Sequence, residues 1–387
     1  MNIKLKSNIL LFFSIVIAYL SFLSINIFKV YSGFCIFINS ILLFACLIWS
    51  VKKISKYEIE IIIIIIITIV YSIFTLFFNN SSFGWIIILM YFMITAFCMK
   101  EIKLTINQYK IIFYLNLFLF LIFLIKSNGA YFDYLSNIGS TFNSNTTGAF
   151  LMITSIYILL FANVLNYRIT WKRFFVLFLL TLYGIYNCRS RGALIGYGAF
   201  CVLYFIGKNL RFFTKRKILI SSFLLIIIVG LIVPKIYLHF YSEGININFG
   251  FTDKQSYTGR EIIWQNFYDS MELKNWILGY GSNATFYTDH ELNMHNIYLS
   301  LIVNSGLIGL FLFFWYFKKL IFSRKINNFE FINKYVIYYF FSLLILNYFE
   351  VTLMWSPLII LLLLPLNLIN YKGGGNYEGK NTNMVSL

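Results

Sequence analysis

Residues 59–78 read I-E-I-I-I-I-I-I-I-T-I-V-Y-S-I-F-T-L-F-F, with Lys52, Lys53 and Lys56 shortly before them and Asn79 and Asn80 immediately after. A helix of about 20 residues is about 30 Å long, the thickness of the hydrocarbon core of a bilayer. The only charge in the run, Glu60, lies at its entrance. Such a segment is a membrane span. The same rule applied along the chain gives twelve: 8–28, 31–51, 59–78, 85–99, 111–125, 146–165, 174–188, 193–207, 218–241, 295–317, 335–350 and 355–370. The fourth, fifth, seventh and eighth are short, and the last contains Pro357 and Pro365.

Composition supports the count. Of 387 residues 60% are hydrophobic and 12% charged, and a soluble domain carries about twice that share of charge. So much apolar surface cannot be hidden inside one water-soluble core. The net charge of +17 would suit a nucleic-acid partner, but the basic residues lie in short clusters between apolar runs, which is the pattern that orients spans. With the N-terminus cytoplasmic, 23 of the 31 basic residues fall in inside segments. Most acidic residues lie on the other side, including Asp133, Glu243, Asp253, Glu261, Asp269, Asp289 and Glu350.

The expectation is an all-α polytopic membrane protein forming a single transmembrane domain (1–387). Both termini are cytoplasmic, 371–387 is a cytoplasmic tail, and one long periplasmic loop spans 242–294 between the ninth and tenth spans. The N-terminal apolar run has no convincing cleavage site and reads as the first span. Cys35, Cys46, Cys98, Cys188 and Cys201 form no Cys-x-x-Cys pair and read as small packing residues. The long loop contains Trp264, Phe267, Trp276 and Phe286, too apolar for disorder, and is expected to fold against the membrane surface.

Three arginines stand on the disfavoured side. Arg189 and Arg191 lie in Cys188-Arg-Ser-Arg-Gly192, and Arg260 lies in Thr258-Gly-Arg-Glu-Ile-Ile-Trp264. A headgroup contact or an outer salt bridge would account for any one of them. Guanidinium groups also bind phosphate in a two-pronged geometry and stabilise a phosphate leaving group without a metal. On a helix, Arg260, Trp264, Phe267 and Met271 share a face, and Gly192, Gly196 and Ala199 form a small-residue stripe for close helix packing.

The chain has three histidines. His239 reads as a packing or interface residue and His290 as solvated. His295 opens the tenth span, where Gly306 and Gly309 would let another helix pass close beneath it. Histidine titrates near neutrality and suits removal of a proton from a hydroxyl; a helix-start hydrogen bond is the plainer alternative. A zinc site on His290, Glu291 and His295 lacks a further ligand and helical spacing. No metal and no cofactor are expected.

The segment from His295 to Gly306 resembles the His-x10-Gly signature of the O-antigen ligase and polymerase superfamily. Asn143-Ser-Asn145-Thr-Thr-Gly148, Ser190-Arg-Gly-Ala-Leu-Ile-Gly196, Gly259-Arg-Glu-Ile-Ile-Trp264 and Gly279-Tyr-Gly281 are similar to further segments of that family, in the same order. The resemblance covers residues 140–310. It implies catalytic roles for Arg191, Arg260 and His295: the arginines on a pyrophosphate, the histidine on the acceptor. Arg189, Asn143, Asn145, Trp264, Asn296 and Tyr298 would bind substrate, with Arg189 an alternative to Arg191.

The implied enzyme is a metal-independent glycosyltransferase of the bacterial inner membrane, with undecaprenyl-pyrophosphate-linked oligosaccharide as donor. Its partners would be that donor and membrane lipids, with a chain-length regulator and a flippase as further candidates, and no nucleic acid. Polymerisation of O-antigen, capsular or exopolysaccharide repeats is favoured by resemblance, and ligation to lipid A-core is the alternative. A flippase or transporter would need ionisable residues deep in the spans, and these are nearly charge-free.

Overall fold

The computed structural model describes residues 3–27, 32–50, 56–79, 83–130, 144–209, 215–245, 259–281, 294–322, 331–355 and 358–369. Asn143, His290, Glu291 and the expected tail 371–387 lie outside the described residues. The helices are α1 (Ile3–Ile27), α2 (Ser32–Ser50), α3 (Lys56–Phe78), α4 (Gly84–Glu101), α5 (Ile106–Ser127), α6 (Ser144–Val164), α7 (Trp171–Asn187), α8 (Arg191–Asn209) and α9 (Arg216–Ser242). They continue with α10 (Arg260–Ser270), α11 (Leu273–Leu278), α12 (Ile297–Ile321), α13 (Phe331–Leu346) and α14 (Ile359–Leu363). The first eleven expected spans each correspond to one helix. Among the described residues six helices are long and apolar enough to cross a membrane by length and composition alone.

The polarity of the bundle is inverted relative to a water-soluble protein. Along α3, Ile59, Ile63, Ile66, Val70, Phe74 and Phe77 are exposed, while Thr68, Ser72 and Thr75 are buried. Thr68 Oγ1 donates to the Ile64 carbonyl (2.7 Å) and Thr75 Oγ1 to that of Ser72 (3.0 Å). Hydroxyls satisfied within their own helix can face the protein, and the isoleucines face lipid. The centre is α6, buried along almost its whole length. It packs on α5 through the stacked Phe123 and Phe150 rings, 5.1 Å apart, and on α13 through Tyr157 and Tyr339.

Contacts respect the two ends that charge patterning defines. At the basic end Lys319 pairs with Glu60 (2.7 Å), Lys100 donates to the Lys319 carbonyl (3.4 Å), Arg216 to that of Phe322 (2.9 Å) and Lys334 to that of Gly207 (3.3 Å). At the other end Arg260 meets Glu350, and Asn296 meets Tyr348.

The twelfth expected span is irregular over its described residues. Residues 359–368 form one short helix, α14, and a 3-10 turn (Leu364–Leu368) with Pro365 at its start. At about 1.5–2 Å per residue these ten residues cover less than two thirds of a hydrocarbon core. The segment is tolerable because the bundle encloses it: every residue from Leu358 to Ile369 is buried. Irregular backbone at membrane depth survives only where protein groups satisfy its carbonyls. Tyr157 donates to the Leu361 carbonyl, Tyr339 to that of Leu362 (3.0 Å), and Lys103 to those of Asn367 (3.2 Å) and Ile369 (2.5 Å). The Asn367 side chain donates to the carbonyls of Met99 (2.8 Å) and Ile102, and accepts from Leu104 N–H (3.3 Å) and the Tyr109 hydroxyl (2.6 Å). Asn367→Leu removes the partner of four polar groups at once. At about 1–3 kcal/mol for each buried group left unsatisfied, the variant should show a markedly lower thermal midpoint in detergent, whereas Leu366→Met should not.

Candidate functional site

The site end is organised by the turn that follows α13, residues 347–350. α13 is packed directly against α8. A side chain at Gly196 would stand 3.1 Å from the Ser342 carbonyl oxygen, and one at Gly192 would stand 3.2 Å from that of Leu346. Ser342 Oγ donates to the Gly196 carbonyl (2.6 Å). The small-residue stripe therefore performs the packing its spacing suggests, and it seats Arg191, the first residue of α8, beside the turn. Arg191 is 7% exposed. Ser190 anchors the same corner to α6 by donating to the Asn145 carbonyl (3.4 Å), so the Asn-rich segment contributes backbone here.

His295 is clamped on both sides. Its predecessor Met294 offers its carbonyl to the Trp264 indole N–H (2.7 Å). Its successor Asn296 is the N-cap of α12, accepting from Leu299 N–H (2.9 Å). The Asn296 amide donates twice, to the carbonyls of Tyr348 (3.0 Å) and Gly230 (3.1 Å). The second bond has a cause legible in the sequence. Pro234 lies four residues after Gly230 inside α9 and has no N–H to give it. Ile297 N–H completes the clamp on the Asn347 carbonyl (3.1 Å). His295 itself is half-buried, with φ at +47°. A side chain in that left-handed region costs about 1–2 kcal/mol, and such strain clusters at functional sites.

Arg260 begins α10, whose buried face carries Arg260, Trp264 and Phe267. Gly259, at φ +87°, turns the chain into the helix, and its N–H donates to Glu261 Oε1 (3.0 Å). α10 rests on the outer half of α9, with the Trp264 and Tyr237 rings edge to face at 5.1 Å. Lys235 Nζ lies 5.2 Å from the Tyr268 ring, and burial pushes the Tyr268 phenol up to about 12. The Arg260 guanidinium pairs with Glu350 at 3.0 Å. One turn thus holds Arg260 directly and His295 through its neighbours, while Gly192, next to Arg191, packs against Leu346 and Phe349.

The remaining residues fall elsewhere. Arg189, also left-handed at φ +53°, closes the end of α7. It donates to the Tyr186 carbonyl (3.4 Å), and its guanidinium lies 4.9 Å from the Tyr186 ring. Between the two arginines, the structure sets Arg191 beside the turn and folds Arg189 back on α7. Trp264, Asn296 and Tyr298 are buried, and their polar groups donate to backbone carbonyls. Tyr298 donates to Leu344 (3.1 Å), and its ring fills the space a side chain at Gly230 would occupy.

Gly306 lets the end of α11 pack close, as expected, and it also breaks α12, at φ +64° and ψ −174°. The opening receives the end of α11 and the Gly279-Tyr-Gly281 segment. Tyr280 and Gly281 N–H donate to the released Val303 carbonyl (2.7 and 3.0 Å), and any side chain at Gly306 would collide with the Ile277 carbonyl. The Tyr71 hydroxyl donates to the Ser305 carbonyl (2.8 Å), and the Trp85 indole donates to Ser305 Oγ (2.8 Å).

An O-antigen ligase family model matches residues 175–314. Over those residues, a little over a third of the chain, the sequence is similar to that family. The match runs from α7 past the break in α12 and contains Arg189, Arg191, Arg260, Trp264, His295, Asn296 and Tyr298. The family supports a membrane-bound, glycan-transferring enzyme of the ligase or polymerase kind, with lipid-linked glycan substrates. The turn 347–350 lies outside the matched residues. No curated protein and no solved structure matches the chain.

Trp264→Phe removes the N–H that holds Met294 together with the five-membered ring, at a fully buried position. Expected is a stability loss of about 1–3 kcal/mol with a larger fractional loss of glycan transfer. Equal transfer by the variant and the parent would remove Trp264 from the clamp on His295.

Proposed function

We propose that the protein is a polymerase of lipid-linked polysaccharide repeats, acting at the periplasmic face of the inner membrane with both termini in the cytoplasm. The site assignment is supported by the ion pair of Arg260 with Glu350 and by the contacts of Ile297 and Gly192, close in sequence to His295 and Arg191, with Asn347 and Phe349 of the same turn. In this reading the donor is an undecaprenyl-pyrophosphate-linked oligosaccharide. His295 accepts the proton of an acceptor sugar hydroxyl, whose oxygen attacks the anomeric carbon from the side opposite the pyrophosphate. The sugar–phosphate bond breaks with inversion, and the charge growing on the leaving lipid pyrophosphate is stabilised by Arg191 and Arg260. Fixed guanidinium donors supply that stabilisation without a metal. In this reading Asn145, and Arg189 as the alternative to Arg191, would meet the donor, and a flippase and a chain-length regulator would act before and alongside it.

The acceptor decides between two activities. Gly259-Arg-Glu-Ile-Ile-Trp264 and Gly279-Tyr-Gly281 resemble polymerases and favour a second lipid-linked repeat. The ligase description of the matched family favours lipid A-core as the second reading.

Arg191→Ala, Arg260→Ala and His295→Ala should each abolish chain extension, read as loss of the polysaccharide ladder, while membrane levels of the protein stay unchanged. Wild-type ladders from all three would overturn the site. In a deletion strain, core capped by one repeat unit supports the polymerase. Uncapped core with accumulated lipid-linked polymer supports the ligase instead. Full activity of the purified enzyme in excess EDTA is expected, and activity restored only by added divalent cation would refute metal independence.

A further inference from the structure

Arg260 is held by a single point. Its side chain is 10% exposed, and among the described residues its only side-chain hydrogen bond runs from Nη2 to Glu350 Oε1, at 3.0 Å. A guanidinium has five N–H donors in a rigid fork. A two-pronged carboxylate would occupy one whole edge of that fork, whereas this contact occupies one corner. Glu350 is itself mostly enclosed, with 15% of its side chain exposed. It is mounted on the turn that fixes Ile297, two residues after His295, and supports Gly192, one residue after Arg191.

We propose that Glu350 is a positioning residue for glycan transfer: it fixes Arg260 by one corner and presents the other guanidinium donors to a phosphate group of the lipid-linked donor. The inference rests on the proposed function in assigning a pyrophosphate to Arg260. A buried cation without a counter-charge is costly, and a flexible one must be ordered each time substrate arrives. Glu350 removes both costs in advance. Because it engages one corner only, the phosphate need not displace it. The role depends on where the acceptor oxygen stands more than on its charge, since the arriving pyrophosphate brings negative charge of its own.

That distinction sets the test. Binding of undecaprenyl pyrophosphate to the purified full-length protein in nanodiscs is measured beside its transfer rate and thermal midpoint. Glu350→Gln keeps an oxygen in place without the charge, and Glu350→Asp keeps the charge but withdraws the oxygen. Gln should bind the probe at least as tightly as Asp, and Glu350→Ala should lose about tenfold or more, the scale of a misplaced site group. The swapped pair Arg260→Glu with Glu350→Arg should recover the thermal midpoint of Glu350→Ala without recovering probe binding. Wild-type probe affinity in Glu350→Ala or in the swapped pair overturns the proposal, leaving Glu350 a clamp of the fold. An Asp variant that binds well beside a Gln variant that does not also overturns it, because charge alone would then matter. A parent protein that fails to bind the probe defeats the pyrophosphate assignment, and this inference with it.

Discussion

The site depends on one side-chain amide. Asn296 donates to the carbonyls of Gly230 and Tyr348 while its oxygen caps α12. Three elements (α9, α12 and the turn after α13) are thereby held at a common level. The bond to Gly230 exists because Pro234 leaves that carbonyl without its helical partner. In water such a carbonyl would be solvated and nothing would follow from the vacancy. Inside a bundle it must be satisfied by protein. The proline therefore creates a demand that one residue beside His295 meets, and the position of the histidine becomes a consequence of backbone satisfaction in α9.

The same constraint governs the other irregular places. The break at Gly306 releases the Val303 carbonyl, which Tyr280 and Gly281 N–H take up, and the adjacent Ser305 carbonyl takes the Tyr71 hydroxyl. The broken passage from Leu358 to Ile369 is satisfied by Tyr157, Tyr339, Lys103 and Asn367. Buried tyrosine is well suited to this work, with a large apolar body and a single donor at its tip. The abundance of tyrosine in the sequence reads as bulk hydrophobicity until the backbone groups it serves are known.

What the sequence made legible, and what it did not, follows from the range of the interactions. Spans are local: about 20 apolar residues and a flanking lysine announce themselves, and each of the twelve segments contains a helix, the last a short one. The Gly192–Gly196 stripe was legible because helical packing is periodic. Gly306 was legible as a close-packing position, but its break in α12 was not, because the same periodicity describes a glycine that admits a helix and one that breaks its own. The hydrogen bonds of Asn296, Tyr298 and Trp264 to backbone carbonyls were not legible, because their partners lie far away in sequence. Pro234 could have been read further, since a proline inside a span orphans the carbonyl four residues earlier and requires a donor from somewhere. Glu350 had no such signal. Its pairing with Arg260 joins residues 90 positions apart, and an outer carboxylate was expected on charge grounds alone.

The placement of α10 follows from the length of α9. At 27 residues, α9 is about 40 Å long against about 30 Å of hydrocarbon. Gly230 lies near its midpoint, so the level of Asn296 is set roughly 18 Å below the helix's site-side end. That overhang gives α10 a wall to pack on, through Tyr237 against Trp264 and Lys235 over Tyr268. Trp264 then reaches the Met294 carbonyl while Arg260, four residues earlier on the same buried face, reaches Glu350. One helical turn thus separates the group that fixes the histidine's backbone from the group proposed to meet the phosphate. A rigid helix sets the spacing between them, and the two cannot drift apart without unseating α10 from α9.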